Sequence, residues 1–195
     1  MSRALPACCL SLFLLASCTQ RDEPLVLTYG TLTEPPRPIA EFRLTDQTGA
    51  AFSRTNLLGQ WTLLFSGFTH CPDICPLTLG IIRNAEDKLE TPGHHRVVFV
   101  SVDAERDTPA LLQEYLGWFD PDWVGLSGTR AALNPLLDSL ELGYVRVPLG
   151  SEGDYTMDHS TAVVLIDPEA RLVGYWKAPL DAERLAADLA TLPAP

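Results

Sequence analysis

Two thiols and one imidazole carry the chemistry legible in this chain. They are Cys71 and Cys75, within Cys71-Pro72-Asp73-Ile74-Cys75-Pro76, and His159, 84 positions further on. A pair of thiols at this spacing either closes a disulfide or grips a soft metal. Thiolates are the nucleophiles of disulfide exchange and also the ligands that prefer monovalent copper or zinc, so the motif alone leaves both uses open. Pro76 lacks an amide proton and suits the first turn of a helix, which places Cys75 at or just before a helix N-terminus. There the unpaired amides and the helix dipole would stabilise a thiolate and lower its pKa. If the fold brings His159 to the pair, the result is a three-ligand copper site of mixed softness, usable by both copper oxidation states.

The remaining cysteines sit in a different context. Met1-Ser2-Arg3 is short and positively charged, and Ala7 to Ala16 is almost wholly apolar, with Cys8 and Cys9 inside it. The run is too short to cross a bilayer, which takes about 20 residues, and it fits the apolar region of a secretory signal. Leu15-Ala16-Ser17-Cys18 resembles the lipobox of bacterial lipoproteins. That predicts a signal over residues 1–17, cleavage before Cys18 and lipidation of Cys18. The alternative is an ordinary signal peptide cut near Ser17. In either case the mature chain leaves the cytoplasm, and acyl chains would hold it to a membrane at about 0.8 kcal/mol per buried methylene. Only Cys71 and Cys75 then remain in the mature chain. A bridge between them would close a very short loop and constrain the unfolded chain little, so the pair reads as reactive and not as a staple.

Composition bounds the rest. The chain is 46% hydrophobic and 20% charged, as expected for a fold with a proper core. Without the signal about 178 residues remain, the size of one domain. The formal net charge of −11 argues against nucleic acid as a partner, because binding it needs a basic face.

The elements that must position the three residues follow from pattern. Residues 18–38 read as a tether, polar at first and proline-rich at Thr33-Glu34-Pro35-Pro36-Arg37-Pro38, with room for a short strand at Leu25-Val26-Leu27. The folded domain is expected over residues 39–195, opening with a hairpin in which Phe42 and Leu44 precede the turn and Phe52 follows it. Trp61 to Phe65 reads as a buried strand leading into the Cys motif. Leu77, Ile81, Ile82, Ala85 and Leu89 then recur at helical spacing. Arg96 to Val102 reads as a strand, Thr108 to Trp118 as a helix and Trp123 to Leu126 as a strand. Thr129 caps a helix through Leu140. Tyr144 to Val147, Thr161 to Asp167 and Arg171 to Trp176 read as strands, and Ala182 to Leu192 closes the chain as a helix.

Strands alternating with helices predict an α/β sandwich: a central mixed sheet flanked by helices, its middle strands parallel through right-handed crossovers. Sites in such sheets collect at the C-terminal strand ends, which would gather the Cys loop and Asp103 to Asp107 on one edge. The order resembles the thioredoxin fold with an added N-terminal β-hairpin. Thioredoxin-type oxidoreductases usually carry Cys-x-x-Cys and a cis proline facing it. Here the spacer has three residues, and Asp158-His159-Ser160-Thr161 stands where that proline would be.

Ser66-Gly67-Phe68-Thr69-His70-Cys71-Pro72-Asp73-Ile74-Cys75-Pro76 resembles the signature of the Sco/SenC family. Val102 to Pro109 and Asp158-His159-Ser160 resemble two further family segments. The resemblance implies a thioredoxin-like fold, a membrane anchor and a site for one copper made by Cys71, Cys75 and His159. It implies a metallochaperone that receives copper from an upstream periplasmic donor. The recipient would be the subunit of cytochrome c oxidase that houses its dinuclear copper (CuA) centre. The expected location is the bacterial cell envelope, facing the periplasm or the cell exterior. The alternative is an enzyme, a thiol–disulfide oxidoreductase in which Cys71 and Cys75 are the redox-active pair and the acceptor's cysteines the substrate. A peroxidase is a weaker reading, since no peroxide pocket is legible.

Other residues admit two readings each. Asp158 either orients His159 through a hydrogen bond or is an exposed turn carboxylate. Asp103, Arg106 and Asp107 form an ion-pair cluster at the site edge, or cap a helix from a solvated loop. Met157 is an extra ligand candidate, and His70 either tunes the thiols or lies exposed. His94 and His95 read as loop residues, and the four tryptophans as core or rim.

Overall fold

The computed structural model describes residues 25–90, 94–150 and 153–194. Cys18 and the expected signal lie outside them. Among the described residues the strands and helices are, in chain order, β1 Thr31–Pro38, β2 Arg43–Asp46, β3 Ala51–Ser53, β4 Trp61–Gly67, α1 Ile74–Glu86, β5 His95–Ser101, α2 Pro109–Gly117, β6 Val124–Ser127, α3 Arg130–Ser139, β7 Tyr144–Pro148, β8 Tyr155–His159, β9 Val163–Ile166, β10 Arg171–Trp176 and α4 Ala182–Leu189. None of these helices is long and apolar enough to cross a membrane.

Eight strands form one mixed sheet in the order β1-β10-β9-β4-β5-β6-β2-β3, and β7 pairs with β8 in a separate two-stranded sheet. β4, β5 and β6 are parallel, as the crossover helices α1 and α2 require. β9 runs antiparallel to β4. Burial explains the near-continuous apolar strands, since both faces are covered. Leu63, Phe65, Val97, Phe99 and Val163 face a layer supplied by Leu79, Ile82, Leu112 and Leu185 of α1, α2 and α4. Their alternates Leu64, Val98, Val100 and Val164 face Leu133, Leu136 and Leu137 of α3. Each such fully buried side chain contributes about 1.5–3 kcal/mol. The hairpin β2–β3, with Leu44 opposite Phe52, pairs with β6 at one edge, so the thioredoxin-like sandwich and its added hairpin are as the sequence predicts.

The expected tether over 18–38 needs correction. Its second half is β1, an edge strand antiparallel to β10. Pro35, Pro36 and Pro38 are tolerated because one side of an edge strand has no partner to receive an amide. Leu25 to Leu27 form no strand, yet Leu25 and Leu27 pack on the core. The amides of Thr28, Tyr29 and Gly30 donate to buried Asp188, at 2.6, 3.1 and 2.7 Å, and so does the Trp176 indole at 2.9 Å. Burial alone would raise the pKa of Asp188, but these donors outweigh it and hold the carboxyl low. The folded unit therefore includes residues well before Ile39.

The second correction concerns residues 144–160. The sequence predicts one strand at Tyr144 to Val147; the structure has a hairpin, with Tyr144 opposite His159 and Val147 opposite Thr156. His159 ends β8, and the next strand begins only at Val163.

Candidate metal centre

The Cys pair is placed by a central strand buried on both faces. β4 is buried along its whole length and delivers the chain at Gly67 to the loop before α1. The position must be glycine. A Cβ there would lie 2.8 Å from the Phe99 ring and 2.9 Å from Cys75 Sγ, so the absent side chain is the space the thiol occupies. The loop is pinned by the Val102 amide donating to the Gly67 carbonyl at 2.9 Å and the Cys71 amide to the Phe68 carbonyl at 3.3 Å.

Helix α1 starts at Ile74, one turn-fraction earlier than Pro76 suggests, with Asp73 as its N-cap residue. The Asp73 side chain makes no capping bond. Cys71 Sγ instead accepts the Cys75 amide at 3.4 Å, taking one of the unpaired donors of the helix start. The expectation that the helix terminus lowers the pKa of Cys75 is thus overturned. Cys75 lies inside the first turn with no exposed surface, and its burial, reinforced by the neighbouring Cys71, pushes its thiol far up; a bond from the Phe68 backbone opposes this only in part. A metal that replaces the thiol proton would remove that penalty.

His159 closes the site from the end of β8. Its Nε2 lies 3.3 Å from Cys75 Sγ, and its Nδ1 lies 2.9 Å from the Ser160 carbonyl. A carbonyl only accepts, so Nδ1 carries the proton and Nε2 presents its lone pair to the sulfurs. Burial lowers the pKa of the imidazole, against the opposing Ser160 carbonyl and Asp158 charge, so the ring is the neutral form a metal needs. Phe65 and Phe68 meet the ring edge-on, with centroids 6.0 and 5.9 Å away. The orienting group is therefore the Ser160 carbonyl, and Asp158 is exposed.

The donor atoms of Cys71, Cys75 and His159 all lie within 4.8 Å of one another, and both cysteines are free thiols. Two soft sulfurs and a neutral imidazole with its lone pair aimed inward are a donor set that fits copper in both oxidation states.

The cluster beyond the ligands is buried, not solvated. Asp107 accepts from the Thr69 amide and hydroxyl at 3.0 and 2.6 Å and from the Ser101 hydroxyl at 2.6 Å, which ties the Cys loop to the loop after β5. Asp103 accepts from Arg106 Nε and, at 2.7 Å, from the Tyr155 hydroxyl. Sequence reading left Asp103 and Asp107 open, named Gly67 and Ser160 as motif positions without a role, and missed Tyr155. The usable signal for β8 was the alternation Tyr155, Met157, His159. Met157 is half-buried against both hydrophobic layers. His70 is exposed beside Thr69 and Asp107. His95 is no loop residue: it opens β5, buried, 3.0 Å from Glu86. Trp61, Trp123 and Trp176 are core, whereas Trp118 is 81% exposed.

Comparison with known proteins places this geometry. The SCO1/SenC family model matches residues 30–194. Bradyrhizobium japonicum ScoI with copper bound is 40% identical, with a TM-score of 0.70 covering 78% of this chain and 97% of that one. An SCO2-like protein of Rickettsia felis is 33% identical over 172 residues, 85% of this chain and 82% of its own length. BsSco is a member of the Sco family of cytochrome c oxidase assembly proteins, in which a disulfide switch is identified. It shares the fold at a TM-score of 0.63 and 20% identity, covering 83% of this chain and 97% of its own. The protein belongs to the SCO1/SenC family.

Proposed function

We propose that this protein carries one copper ion outside the cytoplasm and hands it to the subunit that houses the CuA centre of cytochrome c oxidase. The single observation that carries the reading is the convergence of Cys71 Sγ, Cys75 Sγ and His159 Nε2 within 4.8 Å. Copper is cargo here. The two sulfurs, once deprotonated, hold it, and the imidazole adds the third donor without a change in its own protonation. The Ser160 carbonyl keeps Nε2 aimed at the sulfurs, and Phe65 and Phe68 shield the ring from water. Release follows by exchange of these ligands for those of the acceptor, one at a time, from the side where half-buried His159 reaches the surface. An upstream periplasmic donor would load the site by the reverse exchange. Cys18, lipidated, would hold the domain to the membrane of a bacterial envelope. Mixing the copper-loaded chain with the apo acceptor domain tests this: copper should move to the acceptor from the wild type and fail to be supplied by Cys71→Ser or Cys75→Ser.

A second reading uses the same atoms. Cys71 and Cys75 are free and adjacent, so they can form a disulfide as they reduce an acceptor's cysteines. Copper and disulfide exclude one another on one pair of sulfurs. Reduction of an oxidised acceptor by the copper-free dithiol, unaffected by His159→Ala, is the outcome this reading requires.

A further inference from the structure

The two cysteines are seated by the main sheet, but His159 arrives on a hairpin that shares no strand with it. Something must set the hairpin's distance from the thiols. Tyr155 and His159 are the two ends of β8, on one face of the strand by its period of two. Arg106 grips the Tyr155 end. Its Nη1 donates to the Tyr155 carbonyl at 3.1 Å, and its guanidinium lies 3.9 Å from the centroid of the Tyr155 ring. The Tyr155 hydroxyl and Arg106 Nε both bind buried Asp103, closing a ring of three side chains. The same guanidinium lies 5.8 Å from the Phe68 ring, and Phe68 in turn meets His159 edge-on and accepts the Cys71 amide. Arg106 thus touches both halves of the site without touching any ligand.

Pairing with Asp103 alone does not account for an arginine at this position. Its Nη2 is buried and has no hydrogen-bond partner among the described residues, and an unmet buried donor is destabilising. An apolar residue of similar volume would remove that penalty but would strand buried Asp103. It would not span the Tyr155 carbonyl and the Phe68 ring together. Only the planar fork does so, and lysine has no equivalent.

We infer that Arg106, held by Asp103, is a positioning residue that fixes the β7–β8 hairpin so that His159 meets the thiol pair. The inference rests on the copper reading of the site. It separates the two oxidation states, because two thiolates hold monovalent copper well without help, whereas divalent copper depends on the imidazole.

The test compares Arg106→Lys, His159→Ala and the double variant of the chain, each titrated with Cu(I) and with Cu(II). Lysine keeps a cation for Asp103, so the variant stays folded by thermal melting. Arg106→Lys should weaken Cu(II) about 10–100-fold, the range for groups that orient a ligand. It should also diminish the imidazole-nitrogen signature in electron paramagnetic resonance while altering Cu(I) affinity far less. In the double variant the Arg106 change should add nothing to the loss from His159→Ala. Unchanged Cu(II) affinity and nitrogen signature in Arg106→Lys, or losses that add in full in the double variant, would overturn the inference. If His159→Ala itself leaves Cu(II) binding unchanged, the copper reading fails first, and the positioning role with it.

Discussion

The two halves of the metal centre are built to different standards. Cys75 is locked by the core: no exposed surface, a sulfur filling the space Gly67 leaves, and strand β4 paired on both sides. His159 hangs from a hairpin whose strand β7 is largely exposed and whose ties to the body run through Arg106, Asp103 and the Tyr144 hydroxyl donating to Asn134 of α3. Apolar burial holds the first half and a few polar bonds hold the second. On the proposed carrier reading, this division would leave the sulfurs as a fixed receptacle and the imidazole as the ligand free to leave.

Hydrogen exchange offers the largest contrast. Amides of β4 and β5 should exchange only through global unfolding, and those of β7 and β8 at least about 100-fold faster through local opening. Equal protection in both would end the distinction. Next in size is Asp107→Ala, which strands the half-buried Thr69 amide and the buried Ser101 hydroxyl; each orphan costs about 1–3 kcal/mol, so chemical denaturation should show a loss of roughly 3 kcal/mol. The Cys half would then be seen to need its polar clamp as well as its core. Gly67→Ala forces a methyl group against Phe99 and Cys75 Sγ. We expect about 1–3 kcal/mol of destabilisation from overpacking, together with weaker copper binding.

The smallest effect is a pH dependence confined to the His half. The folded pKa of His159 is depressed below the ordinary value of 6.5, chiefly by burial. Between the two values the unfolded chain binds the extra proton, so apo-protein stability falls as pH drops through and below about 6.5. Thermal melts of wild type and His159→Ala between pH 5 and 7 should show a shallower slope in the variant.

How much was legible follows the same divide. Trp61 to Phe65, the proline after the motif and the helical spacing from Leu77 to Leu89 gave away β4, α1 and the Cys loop, because core burial writes itself into local apolar pattern. The His half is written in tertiary partners. β8 has a half-exposed strand's mixed composition, and its role depends on Asp103 and Arg106, some 50 positions earlier. Likewise β1 looked like a linker because its three prolines suit a free chain as well as a sheet edge, and only its pairing with β10 decides between them. The depth of Asp103 and Asp107 was hidden too, since a carboxylate is buried only where donors such as Ser101, Thr69 and Tyr155 converge on it. The upward direction of the Cys75 pKa is hidden for the same reason: helix position is local, burial is not.

The most direct measurement of the central claim is X-ray absorption on the copper-loaded protein and its His159→Ala variant. The account predicts one copper per chain with two sulfurs and one imidazole nitrogen in the wild type, and loss of that nitrogen in the variant. The same sulfur and nitrogen shells in both proteins, or copper held without Cys71 and Cys75, would contradict it.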